Sequence, residues 1–251
     1  ACKLSGAKIK VFKHNNMKDF ERKIQKTNGK KFVITEGIFS MDGDWSKLDE
    51  MTEISEKKDI ITILDDAHGD FVLGSDGRGT ANFFNVEKKI DLYISSLSKG
   101  LGSFGGYVSS QRNIIELCIN RSKSFIYTSA LPVSIIEYTI KRFNSNREIR
   151  RKKLWNNIKL FHNGLKQIDD SIKYILELAI GGTAVGTGLN SHPDFSPMVS
   201  DVLNEITGTS YTFKSHPNKF HALTSHDGEV VLSGALNALA SNLMKIANDI
   251  R

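Results

Sequence analysis

One lysine sits among small residues: Lys99, in the run Ser-Ser-Leu-Ser-Lys-Gly-Leu-Gly-Ser-Phe-Gly-Gly over 95–106. Upstream, Asp65-Asp66-Ala67-His68 closes the apolar run Ile60-Ile61-Thr62-Ile63-Leu64. An acid at a strand end, a histidine just after it and a lysine past the next apolar run make an ordered set. Each member answers one need of pyridoxal phosphate. A neutral lysine amine forms a Schiff base with its aldehyde. A carboxylate facing the pyridine nitrogen keeps the ring protonated as an electron sink, and Asp65 is the candidate. His68 can reach the phenolic oxygen, and the hydroxyls of Ser96, Ser98, Thr128 and Ser129 are available to the phosphate. Singly, each has a plainer reading: a turn cap, a loop histidine, a surface lysine. In this order, after strand-like runs, they point to the cofactor.

The elements that must position this set read as alternating strands and helices. Residues 31–36, 59–64 and 91–96 are apolar runs with strand character, and 8–13 alternate enough for a short strand. Helical patterns cover 16–28, 48–57, 114–122 and 132–161. Alternation of this kind predicts an α/β fold with a parallel sheet and crossover connections. In such sheets chemistry gathers beyond the carboxyl ends of the strands, just past which Asp65, His68 and Lys99 fall. From about residue 165 the character changes. Helical patterns at 172–180, 195–208 and 227–251 are interrupted only by a weak β-run at 210–213 and a turn at 217–220, so this tail reads as all-α.

The 251 residues suffice for one large or two small domains, and the 39% apolar content is that of a folded protein. The net charge of +6 is unevenly spread: residues 1–165 carry about +9 and residues 166–251 about −3, which hints at a boundary. The basic cluster Lys141, Arg142, Arg147 and Arg150 to Lys153 lies in a helical pattern with little aromatic interleaving, so it reads as a solvated face and no nucleic-acid partner is expected. No run approaches the roughly 20 apolar residues of a membrane span, and no apolar leader opens the chain. Two cysteines, Cys2 and Cys118, are too few for a disulfide framework, so a cytoplasmic setting is expected. No metal site is expected.

Four stretches carry a family resemblance: 35–44 (Thr-Glu-Gly-Ile-Phe-Ser-Met-Asp-Gly-Asp), 65–69 (Asp-Asp-Ala-His-Gly), 74–79 (Gly-Ser-Asp-Gly-Arg-Gly) and 96–100 (Ser-Leu-Ser-Lys-Gly). Together they closely resemble the α-oxoamine synthases, pyridoxal phosphate enzymes of fold type I that join an amino acid to an acyl-CoA with loss of carbon dioxide. The resemblance covers about residues 1–160 and leans towards the 8-amino-7-oxononanoate synthase branch, which serves biotin synthesis. It implies that Lys99 is the Schiff-base lysine, that Asp65 pairs with the pyridine nitrogen and that His68 meets the phenolic oxygen. Ser40 and Ser96 then contact the cofactor, Ser96 standing where threonine is common. Tyr127-Thr128-Ser129-Ala130-Leu131-Pro132 resembles the segment by which one subunit reaches its neighbour's cofactor phosphate, which implies a homodimer. The family's first large segment, with its Gly-rich cofactor loop and ring-stacking histidine, has no counterpart here. Nor does its C-terminal small domain, so turnover is expected to be impaired.

The tail resembles something else. Residues 178–190 (Leu-Ala-Ile-Gly-Gly-Thr-Ala-Val-Gly-Thr-Gly-Leu-Asn), 217–220 and 241–251 closely resemble class II fumarate hydratase, whose superfamily builds helical bundles and tetramers. The glycine run is no phosphate loop, since no Gly-Lys-Ser/Thr follows it; on its own it reads as tight packing at a turn. The fumarase signatures upstream and downstream of this stretch have no counterpart, so fumarate–malate interconversion is the alternative function and not the first. The sequence therefore divides into a truncated pyridoxal phosphate domain over 1–160 and a fumarase-like helical fragment over 161–251. That is the pattern of a chimera, and a non-catalytic chimera is the remaining alternative.

Overall fold

The structure is a computed structural model that describes residues 2–250. It divides into two compact units, 1–152 and 153–251, the division falling inside one long helix, Arg147–Ile172.

The first unit is built on a four-stranded sheet of β1 (Lys31–Glu36), β2 (Ile60–Asp65), β3 (Leu92–Ser96) and β4 (Gly106–Ser110), in that spatial order. β1 and β3 pair parallel with β2, while β4 returns antiparallel to β3. The sheet is thus mixed, with a parallel core. Parallel pairing needs a crossover, which α2 (Leu48–Lys57) supplies between β1 and β2. Alternation then decides which side chains are buried. Val33 and Thr35 of β1, with Ile60, Thr62 and Leu64 of β2, point to the covered face. There α1 (Met17–Gln25) brings Met17, Phe20 and Ile24 against Val33, Met51 and Ile60. A second cluster joins Leu48 and Leu64 to Ala81 and Val86, from α3 (Thr80–Phe83) and the turn after it. Phe32 and Ile34 occupy the other face and remain 57% and 49% exposed. The unit continues through α4 (Arg112–Arg121), α5 (Lys123–Ile126) and α6 (Val133–Asn144) into α7 (Arg147–Ile172).

Three local expectations need correction. Residues 8–13 form no strand; they run exposed apart from Phe12, which packs on the core, with the Val11 carbonyl taken by Lys23 and Lys13 N–H donating to Asp19. The pattern over 132–161 is two helices, broken at Ser145, whose hydroxyl turns back onto the Arg142 carbonyl. The apolar stretch 172–180 is not helical: after a 3₁₀ turn at Lys173–Ile175 it enters a short strand, β5 (Glu177–Leu178), paired parallel with β6 (Lys214–Ser215).

The second unit is otherwise helical, with α8 (Phe195–Thr207), α9 (Lys219–Thr224) and α10 (Asp227–Ile250). Lys219 ties its non-helical parts together, donating to the Leu178 carbonyl at 3.0 Å and to the hydroxyls of Ser196 and Ser215 at 2.8 and 2.7 Å. Its partial burial lowers its pKa. The glycine run closes on itself, with Gly186 and Gly188 N–H both donating to the Gly182 carbonyl. A side chain at Gly186 would strike the backbone of Phe220, the close-packing role expected for it. Gly164 of α7 likewise leaves room for Leu239 of α10, and Lys245 reaches Asn157 at 2.8 Å. Over Asp227–Asp249, α10 is long and apolar enough to cross a membrane, by length and composition alone. Interspersed Ser, Asn and Gly hide this from a search for unbroken apolar runs, yet no charge falls between Glu229 and Lys245.

Candidate functional site

The carboxyl ends of β1, β2 and β3 lie side by side, in the register Glu36 beside Asp65 and Asp65 beside Ile94. Asp65 closes β2. One of its oxygens accepts the Ala67 N–H at 3.1 Å, and its own carbonyl accepts the Gly37 N–H, so the acid is held at the sheet edge from both sides. The chain then makes a tight turn in which Gly69 and Asp70 N–H both return to the Asp66 carbonyl, with His68 between them. Past β3, the stretch 97–105 forms a closed loop. Leu97 N–H donates to Gly105, Ser103 N–H to Leu97 and Gly102 N–H to Lys99. Leu101, 2% exposed, anchors it. Gly102 and Gly105 take φ values of 69° and 99°, a backbone that favours glycine.

Turn and loop bring His68 Nε2 and Lys99 Nζ to 2.6 Å. A protonated lysine only donates, so Nε2 accepts in that state and the imidazole proton sits on Nδ1. Ser96 Oγ lies 2.7 Å from Ser98 Oγ and accepts the Ser98 N–H. Ser40 is exposed on the hairpin that follows β1, its N–H donating to Glu36. Thr128 and Ser129 lie apart from this group, exposed in the loop between α5 and α6. Among the described residues no hydrogen bond joins them to Lys99, His68 or Asp65.

Beside Asp65 opens a cavity of about 320 Å³, lined by Phe12, His14, Asn15, Ile34, Thr35, Glu36, Phe39 and Asp65. The sequence pointed to Asp65 and, through the stretch 35–44, to Thr35, Glu36 and Phe39, but not to Phe12, His14, Asn15 or Ile34. Asn15 bridges from Asp44 to the Trp45 carbonyl at 2.6 and 2.8 Å, and His14 pairs with Asp44 at 2.9 Å. These contacts pull in the chain before α1 to wall the cavity. His14, Asp42 and Asp44 each offer a metal-ligand atom within 4.8 Å of one another, in a mostly exposed cluster in which His14 and Asp44 are paired.

Beneath the turn lies a buried polar layer. Asp66, fully buried, accepts from the Thr80 N–H at 2.6 Å, the Thr80 hydroxyl at 2.5 Å and the Tyr93 hydroxyl at 2.8 Å. Asp70, 5% exposed, accepts from the Ser95 and Tyr107 hydroxyls, both at 2.6 Å. Burial pushes the Asp66 carboxyl pKa up against the pull of its donors, and the Tyr93 and Tyr107 hydroxyls are raised too, first by burial. No direct sign of this layer is legible in the sequence. The only trace was the glycines of the motifs, since a side chain at Gly37, Gly69 or Gly79 would run into the Asp66 carboxylate.

Residues 1–179 match the family model described as Aminotransferase class I and II. The chain belongs to this family. Its relatives within it include the 8-amino-7-oxononanoate synthase of Thermoanaerobacter pseudethanolicus, 41% identical over 172 residues, or 66% of this chain and 44% of that protein. The enzyme of that name from Lysinibacillus sphaericus is 37% identical over 190 residues, covering 72% and 49%. The chain thus spans less than half the length of these curated relatives. Among solved structures of the fold, serine palmitoyltransferase of Sphingomonas wittichii superposes with a TM-score of 0.63 at 29% identity, covering 66% of this chain and 43% of that one. The 8-amino-7-oxononanoate synthase of Francisella tularensis superposes with a TM-score of 0.56 at 25% identity, covering 98% and 71%. Residues 152–251 match a second family model, described as Lyase. An aminotransferase-family segment and a lyase-like segment therefore meet in one chain, overlapping over 152–179.

Proposed function

We propose that the first unit holds pyridoxal phosphate through Lys99 and serves the condensation of an amino acid with an acyl-CoA, as in 8-amino-7-oxononanoate synthase. The observation that carries this reading is the 2.6 Å contact of Lys99 with His68, past the strand ends at which Asp65 closes β2. The donor set fits the group: an amine for the aldehyde, an acid for the ring nitrogen, an imidazole for the phenolic oxygen, and the hydroxyls of Ser40 and Ser96 at the rim. When bound, the cofactor supplies an electron sink for bonds at the amino acid α-carbon. The chain's residues do the rest. His68 Nε2 takes the proton that Lys99 must lose before its amine can act as a nucleophile. Asp65 would hold a proton on the cofactor's ring nitrogen. Thr128 and Ser129 are proposed to meet the cofactor phosphate of a second copy in a homodimer, in keeping with their separation from Lys99. The lyase-like part is taken as a helical fragment, its fumarate–malate chemistry remaining the alternative for residues 161–251.

The test is to add pyridoxal phosphate to the chain and to Lys99→Ala, reduce both with borohydride and map the label by mass. Label on Lys99, absent in the variant, is expected. Equal labelling of surface lysines in both would overturn the reading. Alanine, glycine and acyl-CoA esters would then be tried with the loaded chain, and fumarate with the same preparation.

A further inference from the structure

We propose that Asp66 and Asp70 are positioning residues: two buried carboxylates that clamp the turn bearing His68 to the sheet and so set the imidazole against Lys99. This rests on reading Lys99 and His68 as cofactor residues and adds the pair that holds them in place.

The two acids stand at the two ends of one tight turn. Asp70 N–H donates to the Asp66 carbonyl at 2.9 Å, and His68 lies between them. Each side chain points away from His68, down into the protein. Neither acid has a cationic partner among the described residues, although both are buried. Buried carboxylates persist only where donors replace water, and here every donor is a hydroxyl or an amide. Those donors come from fixed parts of the sheet. Tyr93 and Ser95 stand two apart on β3 and so share a face, and Tyr107 of β4 is the register partner of Ser95. Thr80 adds the start of α3. The turn is therefore fastened at three places to elements that cannot move independently.

The glycines point the same way. Gly37, Gly69 and Gly79 leave the space that the Asp66 carboxylate fills, so three separate motif segments converge on this one side chain. A side chain at Gly100 would meet the Asp70 carbonyl and Phe71, so the loop carrying Lys99 rests on the turn carrying His68. A 2.6 Å contact between two long side chains has little tolerance. Releasing one end of the turn lets the ring drift beyond hydrogen-bond reach, and misplacements on this scale are felt strongly in catalysis.

The test couples the two sites in the full chain. The ring ¹⁵N shifts of His68 are recorded with and without Lys99→Met. In the unmodified chain the substitution is expected to move the Nε2 resonance. In Asp70→Ala that response is expected to vanish while other histidines keep their shifts; in Asp70→Asn it returns in part, since the amide oxygen still accepts a bond. Labelling of Lys99 by pyridoxal phosphate should weaken about tenfold or more in Asp70→Ala. If Asp70→Ala does not fold, Ser95→Ala and Tyr107→Phe each remove one donor and should each diminish the response. A His68 response to Lys99→Met that persists unchanged in the folded variants overturns the proposal. Absence of label on the unmodified chain would instead sink the cofactor reading, and the ¹⁵N coupling, recorded without cofactor, would still decide the clamp.

Discussion

At the residue scale, the chemistry-bearing side chains were the most legible part of the sequence, and the ones that support them the least. Lys99, His68 and Asp65 stand out because acid, imidazole and amine fall in order after strand-like runs. Asp66 looks the same as Asp65 in one-dimensional form. What separates them is the pleat: Asp65 ends β2 at the cavity, and Asp66 turns beneath the sheet edge. The motif glycines carried that information indirectly, through the space they leave. Gly79, with φ of 90° and the Asp66 carboxylate where its Cβ would lie, tests this: Gly79→Ala should cost about 1–3 kcal/mol, read as a lower urea midpoint at unchanged slope. Thr62 tests the opposite case. Its hydroxyl is buried in the core with no partner among the described residues. Thr62→Val removes that oxygen at nearly constant shape and should raise stability by about 1 kcal/mol in the same assay. A fall of that size would mean the hydroxyl has a role the contacts do not reveal.

At the element scale, the apolar strands of the sheet's core announced themselves and marginal elements did not. β1, β2 and β3 are dense in Ile, Val, Phe and Leu, and a parallel core strand needs such runs. β4, Gly-Tyr-Val-Ser-Ser, is short and polar and forms because β3 offers a partner edge; nothing local demands it. The reverse holds at 8–13, where alternation is present but no neighbouring strand receives it. Helix α1 was legible from its period and also from its entry. Asn16 caps it by accepting the Asp19 N–H at 2.9 Å, so Asn16→Ala should cost about 1 kcal/mol. Asp19 in turn accepts the Lys13 N–H and pairs with Arg22 and Lys23. The Lys13 bond first, then the Arg22 pair, hold its pKa at about 2. A carboxyl depressed on folding contributes stability above its unfolded pKa and loses it as pH falls. The chain should therefore lose part of the first unit's stability between about pH 4 and the folded value of about 2. Asp19→Asn should be less stable at neutral pH and flatter across that window in a helicity titration; equal slopes would remove Asp19 from the acid response.

At the scale of the whole molecule, the charge shift near residue 165, the change from α/β to helical patterning and the two family matches all describe a chain of two parts. The compact units meet within α7, where no Pro- or Gly-rich linker marks a junction. A continuous helix hides a boundary that a linker would have announced, which is why composition hinted at the division without locating it. Among the described residues the buried hydrophobic clusters all lie in the first unit, so the two units need not unfold together. Differential scanning calorimetry is expected to show two transitions. Leu48, fully buried in the first unit's core, gives the assignment: Leu48→Ala removes about 2–5 kcal/mol from one transition and leaves the other in place. Pyridoxal phosphate then works in the opposite direction on the same transition. A ligand that binds only the folded first unit adds about 2.7 kcal/mol when present at a hundred times its dissociation constant. Addition of cofactor should therefore raise the transition that Leu48→Ala lowers, and Lys99→Ala should reduce that rise. If cofactor shifts the other transition, or shifts both alike, the site does not lie in the first unit and the assignment of Lys99 falls with it.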